Sequence, residues 1–83
     1  MSEEKYTIEI ARQVAGDREV LRTHVSTSPE GAEVLVESLR DSYGQRESVA
    51  WEREEIDAEG KLVGRSFIAD AVYTITVTPS LPS

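Results

Sequence analysis

The N-terminal third of the chain contains two stretches in which apolar and polar residues alternate. Residues 6–14 place Tyr6, Ile8, Ile10 and Val14 on one face, and residues 19–27 place Leu21, Thr23 and Val25 on one face. Between the two stretches, Gly16 and Asp17 are typical turn residues, because Gly adopts positive φ and Asp bonds nearby backbone. The pattern predicts two strands joined as a β-hairpin.

A helix is predicted directly after the hairpin. Ser28 can accept hydrogen bonds from free backbone N–H groups as the N-cap, Pro29 suits the first helical position, and Glu30 suits the positive end of the helix dipole. The apolar residues that recur at helical spacing are Ala32, Leu35, Val36, Leu39 and Tyr43. Gly44 suits the left-handed residue that follows a helix. We therefore expect a helix over residues 29–43.

The remainder of the chain returns to β patterning. Residues 47–56 predict a strand led by Val49 and Trp51, and residues 57–60 predict a hairpin turn with glycine at its left-handed position. Residues 62–78 form the richest β segment, and the apolar residues at its odd positions are Phe67, Ala69, Ala71, Tyr73, Ile75 and Val77. This segment is either one long bent strand or two strands that break near Ala69 and Asp70.

These elements predict an α+β fold in a single domain of residues 1–83. The order is β-β-α-β-β, with one more strand if the last segment divides. An antiparallel sheet of four or five strands with one helix packed on one face is the simplest arrangement that buries both apolar patterns. Residues 1–5 and 79–83 are expected to fray.

The charge composition narrows the class of partner. The chain has 83 residues with 16 acidic and 9 basic side chains, and its net charge is −7. Direct binding to nucleic acid or to an anionic membrane depends on Lys and Arg, so neither is expected. Cysteine is absent, which excludes disulfides and thiolate metal sites. The first residues are acidic where a signal peptide is basic, so we expect a cytoplasmic protein.

No motif for catalysis stands out. His24 is the only histidine, and it lies out of phase with Leu21 and Val25. This position favours an exposed strand residue over a general base or a metal ligand. Residues 57–60 match a fragment of a calcium loop, but the glycine comes too early and a strand is predicted to follow. We therefore expect a protein that is not an enzyme and binds no cofactor or metal.

Two acidic stretches supply the candidate partner-binding residues. The first is a stripe along the predicted helix, Glu30, Glu33, Glu37 and Asp41, and the second is a run of Glu52, Glu54, Glu55, Asp57 and Glu59. Both interpretations are open for these stretches: a solvated face that keeps a small protein soluble, or a negative surface that attracts a basic protein. Trp51 begins the second stretch. It is expected in the core, and if exposed it would be an aromatic anchor among carboxylates.

Several features of the chain are typical of one class of small proteins: its size, the absence of cysteine, the small β/α core and the acidic runs SPEGAEVLVESLRD and WEREEIDAEG. In these features the chain resembles small phage-encoded inhibitors of the anti-CRISPR type. Such inhibitors often act without catalysis, and some are DNA mimics that present carboxylates where phosphates would lie. The resemblance implies an inhibitor that occludes the basic nucleic-acid-binding surface of a partner, and it assigns no individual residue.

Two functions are consistent with the sequence. The first is a non-enzymatic interaction protein whose carboxylates compete with phosphate for the Lys and Arg side chains of a basic partner. The second is a structural or assembly protein, a homodimer included, that associates with itself through exposed strand edges. For this second function, the Thr-rich segment of residues 72–78 is the candidate edge.

Overall fold

The fold consists of one helix and one five-stranded sheet. The structure is a computed structural model that describes residues 5–80. In chain order the elements are β1 (Lys5–Val14), β2 (Asp17–Ser26), α1 (Pro29–Arg46), β3 (Val49–Trp51), β4 (Lys61–Ser66) and β5 (Val72–Ser80). The strands pair antiparallel in the order β2-β1-β5-β4-β3, and α1 contacts the sheet. The predicted α+β fold is therefore confirmed.

The core lies between α1 and one face of the sheet. The sheet side chains with almost no exposure are Ile8, Ile10, Leu62, Tyr73 and Ile75, all from the three central strands. From the helix, Ala32, Val36, Leu39 and Tyr43 are buried at the spacing that the sequence predicts. The rings of Tyr43 and Tyr73 are 6.1 Å apart at 44°. Burial of these apolar side chains is the main source of free energy that holds the helix on the sheet.

The N-terminus of α1 is capped as the sequence predicts. The Ser28 hydroxyl accepts a hydrogen bond from the Gly31 N–H at 3.0 Å, and Pro29 is the first helical residue. The Ser26 hydroxyl at the end of β2 donates to the Ser28 carbonyl at 2.9 Å. The cap therefore also joins the start of the helix to the end of the hairpin.

The C-terminus of α1 differs from the prediction. The helix continues through Gly44 to Arg46, Glu47 is its C-cap, and the left-handed residue is Ser48 with a φ of 52°. The expectation that Gly44 ends the helix was therefore wrong. A Cβ at Gly44 would lie 3.3 Å from Trp51 Nε1, so the glycine serves the close approach of the indole.

A β-bulge reverses the predicted orientation of β2. Its pairing with β1 shifts register, and Leu21 is the extra residue. Beyond the shift, His24 pairs with Ile8, so it lies half-buried on the helix side of the sheet. Val25 faces the other side and is 60% exposed. The expectation that Thr23 and Val25 face the core and that His24 faces solvent was wrong.

Most of the acidic run is irregular. The strand β3 covers only Val49–Trp51, so the strand predicted over residues 47–56 was too long. Like charges along a paired strand repel each other, which is consistent with the chain leaving the sheet where the acids begin. A turn forms at residues 57–60 as predicted, with Gly60 at a φ of 78°.

The last β segment divides into two strands, which is one of the two predicted arrangements. The break spans residues 67–71, and Phe67 within it is 80% exposed. Ala71 and Tyr73 are buried, as their alternation in the sequence predicts. Because β5 is third in the sheet, it pairs with β1 on one side and with β4 on the other. The expectation that residues 72–78 form a free edge was therefore wrong.

The sheet extends into both ends of the chain. Lys5 pairs with Ser80, and Tyr6 pairs with Pro79. The sheet thus includes three residues that were expected to fray, Lys5, Pro79 and Ser80. The other residues of those ends, 1–4 and 81–83, lie outside the described residues.

Candidate interaction surface between the helix and the acidic loop

Both acidic stretches border the same groove. We call residues 52–60, which connect β3 to β4, the acidic loop. The groove lies between α1 and this loop and has a volume of about 380 Å³; its lining residues are Glu33, Val36, Glu37, Arg40, Glu54, Glu55 and Ile56. Two lining carboxylates come from the helix stripe and two from the acidic run. Folding therefore brings together acids that are far apart in the sequence.

The helical repeat explains which helix residues reach the groove. Glu33, Glu37 and Arg40 are four and three positions apart, so they lie on one face of α1. Val36 lies between this face and the buried face and is itself buried. Ile56 of the acidic loop packs against the same core. The groove thus combines an apolar floor, formed by Val36 and Ile56, with charged sides.

Hydrogen bonds to β4 hold the acidic loop at Glu52 and at Asp57. The Glu52 N–H donates to the Val63 carbonyl at 2.9 Å, and the Asp57 N–H donates to the Lys61 carbonyl at 3.0 Å. The Asp57 carboxylate accepts hydrogen bonds from the N–H groups of Glu59 and Lys61 at 2.9 and 3.0 Å. Asp57 therefore shapes the turn in the way that Asp commonly does, and its carboxylate is engaged within the chain.

Arg40 is the basic residue of the groove lining. Its guanidinium donates to the Glu54 carbonyl at 2.6 Å and to the Asp41 carboxylate at 3.1 Å. Only 20% of its side chain is exposed. Its own carbonyl accepts a hydrogen bond from Trp51 Nε1 at 2.9 Å. Arg40 therefore connects α1 to the acidic loop through its side chain and to β3 through its main chain.

The carboxylates that line the groove are not neutralised by residues 5–80. Glu33, Glu37, Glu54 and Glu55 are all exposed. The ion pairs of the described residues involve other acids: Arg12–Glu19, Arg18–Glu9 and Arg40–Asp41. Arg12 is held as a cation in the hairpin, because its hydrogen bonds to the side chains of Tyr73 and then Glu19 raise its pKa above the ordinary value. The groove therefore keeps a negative potential that an external cation would relieve.

The groove carboxylates come from two elements, two from α1 and two from the acidic loop. Among the described residues, no three acidic or histidine side chains come close enough to hold a metal ion. Separate carboxylates suit several separate cationic groups, such as the guanidinium groups of arginines, each of which pairs with one carboxylate.

The other candidate acids lie outside the groove lining. Glu30 and Asp41 are exposed on α1, and Asp41 is paired with Arg40. Glu52 and Glu59 are exposed at the two ends of the acidic loop. These four acids are therefore exposed, but the groove lining does not include them.

Trp51 packs at the junction of the helix and the sheet edge. The side chain is half-buried against the core, and its indole N–H is bonded to Arg40. Two glycines make room for it: a Cβ on Gly64 would lie 2.6 Å from Trp51 Cε3, and Gly44 approaches it from the helix. These contacts favour the packing interpretation of Trp51 over the aromatic-anchor interpretation. Trp51 thereby positions the start of the acidic loop.

A second charged surface, which lies on the sheet, was not predicted from the sequence. The cross-strand pairs place four bases and one acid on the sheet face opposite to α1: Lys5, Arg18, Lys61, Arg65 and Glu9. Arg18 and Glu9 form an ion pair at 2.9 Å. Four of the six bases in the strands thus lie on the side away from the acidic groove, and Arg12 and Arg22 lie on the helix side. The alternation of side chains along each strand carried this signal, but reading it required the register.

The free edges of the sheet are β2 and β3. The ten-residue β2 has no neighbour on its outer side within the described chain. It carries a bulge and four charged residues, Asp17, Arg18, Glu19 and Arg22. Bulges and charges oppose edge-to-edge pairing, and the three-residue β3 is short. Both edges are therefore poorly suited to extend a sheet into a neighbour.

Comparisons with known proteins identify no relative of this chain. No protein-family model matches it, and no curated protein or solved structure matches it significantly. The resemblance to phage-encoded inhibitors therefore stays a prediction. Within residues 5–80, no helix is long and apolar enough to cross a membrane.

Proposed function

We propose that this chain is a non-enzymatic interaction protein that binds a basic partner protein in the cytoplasm through the groove between α1 and the acidic loop. The observation that carries the proposal is the convergence of Glu33, Glu37, Glu54 and Glu55 on one groove. Net charge alone does not require this convergence, because the acids come from two separate stretches. The partner is a nucleic-acid-binding protein, and the chain inhibits it by occlusion, as phage inhibitors of the type that the sequence resembles do.

The mechanism is competition between carboxylate and phosphate. Arg and Lys on a nucleic-acid-binding surface bind phosphate oxygens, and Arg binds a carboxylate with the same pair of parallel N–H donors. The apolar floor of Val36 and Ile56 can contact the methylene stems of such side chains while their charged ends reach the carboxylates. Long-range attraction accelerates association, and screening by salt weakens it.

Two variants of equal charge test whether the groove is the binding surface. The groove variant carries Glu33→Gln, Glu37→Gln and Glu55→Gln. The off-groove variant carries Asp17→Asn, Glu47→Gln and Asp70→Asn, which replace three acids outside the lining and without an ion pair to the described residues. Both variants lose three negative charges, so a difference in their binding reports the position of the lost charges and not their number.

The experiment is affinity capture from the native host with each form of the protein, followed by mass spectrometry. We expect the wild type and the off-groove variant to retain the same basic, nucleic-acid-binding protein and the groove variant to lose it. Duplex nucleic acid added to the wild-type complex should release the partner. Equal capture by the groove variant and the wild type would contradict the proposed function.

Assembly through a sheet edge is the second candidate function. One observation favours it: the outer side of the ten-residue β2 is unpaired within the described chain. The bulge and the charges of β2 count against it. Light scattering at micromolar concentration separates the two functions. We expect a monomer, and a stable dimer or larger species that dissociates when β2 is changed by Val20→Pro would favour assembly.

A further inference from the structure

The middle of the acidic loop has one hydrogen bond to the rest of the described residues. The loop is bonded to β4 at Glu52 and at Asp57. Within the described chain, residues 53–56 have this one hydrogen bond, which the Arg40 guanidinium donates to the Glu54 carbonyl. Ile56 adds an apolar contact with the core. Among the described residues, the bond from Arg40 is therefore the hydrogen bond that joins the middle of the acidic loop to α1.

Arg40 is itself held on three sides. Its carbonyl is bonded to Trp51 Nε1, a second guanidinium N–H is bonded to the Asp41 carboxylate, and most of its side chain is buried. A planar guanidinium with several fixed donors can serve Asp41 and Glu54 together. We propose that Arg40 is a positioning residue that holds the acidic loop against α1 and so keeps the groove assembled. Its effect on ligand binding rests on the proposed function, whereas its effect on the loop does not.

The proposal predicts that loss of Arg40 weakens the binding of a cationic peptide, whereas the change in net charge alone would strengthen it. Loss of a positive charge from an acidic surface should strengthen the attraction for a cationic peptide. If Arg40 holds the loop, its loss should instead weaken binding, because the helix and loop carboxylates separate. Arg53 is the matched control, since it lies in the acidic loop, is exposed, and has no hydrogen bond or ion pair within residues 5–80.

The experiment compares Arg40→Met, Arg40→Lys and Arg53→Met with the wild type in two measurements. Backbone ¹⁵N order parameters of residues 53–56 report whether the loop is held, and calorimetric titration with an oligo-arginine peptide reports whether the groove binds a basic ligand. Trp51 fluorescence checks the fold of each variant, because the indole is bonded to the main chain of residue 40.

We expect Arg40→Met to lower the order parameters from roughly 0.85 to below about 0.6. Its affinity for the peptide should fall about three- to tenfold, the scale of the net contribution of one hydrogen bond. Arg53→Met should leave the order parameters unchanged and raise the affinity about twofold. Arg40→Lys should restore part of both properties, because an ammonium group can also donate to the Glu54 carbonyl.

The two measurements separate failure of this inference from failure of the proposed function. Unchanged order parameters in a folded Arg40→Met protein would overturn the positioning role. A loosened loop combined with equal peptide affinities for Arg40→Met and Arg53→Met would support the positioning role and overturn the groove as the binding surface. If Arg40→Met does not fold, unchanged order parameters in the neutral, shorter Arg40→Gln would overturn the role.

Discussion

The substitution Gly64→Ala should destabilise the protein even though it removes a glycine from a strand. Gly64 pairs with Trp51 on one side and with Tyr73 on the other. A Cβ at this position would lie 2.6 Å from both Trp51 Cε3 and Val49 Cγ1. Carbon atoms pack at about 3.5–4.0 Å, so both neighbours would have to move. Each of them contacts the core, and the movement would therefore disturb the contact of β3 with α1.

Two opposing effects determine the size of the change. Alanine restricts the unfolded chain, which stabilises the folded state by roughly 0.5–1 kcal/mol at a compatible position. Forcing a methyl group into a packed interior costs about 1–3 kcal/mol. The Trp51 atom concerned belongs to the rigid ring system, so we expect a cost at the upper end of this range. The net loss in the free energy of unfolding should be about 2 kcal/mol.

Urea denaturation followed by Trp51 fluorescence measures this loss as a lower midpoint at an unchanged slope. Gly44→Ala is the comparison, because its Cβ would approach the same indole at 3.3 Å and the helix favours alanine. We expect Gly44→Ala to change the free energy of unfolding by less than about 1 kcal/mol. A Gly64→Ala protein as stable as the wild type would refute the packing of Trp51 on Gly64.

Three more substitutions test other parts of the structure by the same urea assay. Ser28→Ala removes the N-cap and should cost about 1 kcal/mol, and no loss would contradict the cap. Asp57→Ala removes two hydrogen bonds of the turn and should lower the free energy of unfolding by about 1–2 kcal/mol. Unchanged stability would show that the turn does not depend on these bonds. Phe67→Ser should change stability by less than about 0.5 kcal/mol, because the ring is exposed. A larger, concentration-dependent loss would reveal a second copy that covers it.

Local signals in the sequence predicted the elements, and tertiary contacts decided the rest. Ser28 and Pro29 start the helix where their chemistry requires, and the core face of α1 follows from spacing alone. Gly44 has the chemistry of a helix end, but the approach of Trp51 gives it a different role. The orientation of His24 depends on an inserted residue in β2, and a two-residue alternation contains no marker for such an insertion.

The acids of the candidate site were visible in the sequence, but their grouping was not. The helical spacing of Glu33 and Glu37 predicts a shared face, and Arg40 could have been added to that face by the same repeat. The approach of Glu54 to this face depends on its backbone carbonyl, which accepts the bond from Arg40. A backbone acceptor has no signature in the sequence. The basic sheet face was hidden for a similar reason, because it depends on strand register.

The most direct test of the central claim is titration of an oligo-arginine peptide into the wild type, the groove variant and the off-groove variant at several salt concentrations. The claim is that the position of the groove acids, rather than the total charge, creates the binding surface. The groove variant should lose affinity about tenfold, because three exposed charge pairs contribute roughly 0.2–1 kcal/mol each, and the off-groove variant should lose less than about twofold. Equal losses in both variants, with equal dependence on salt, would contradict the claim.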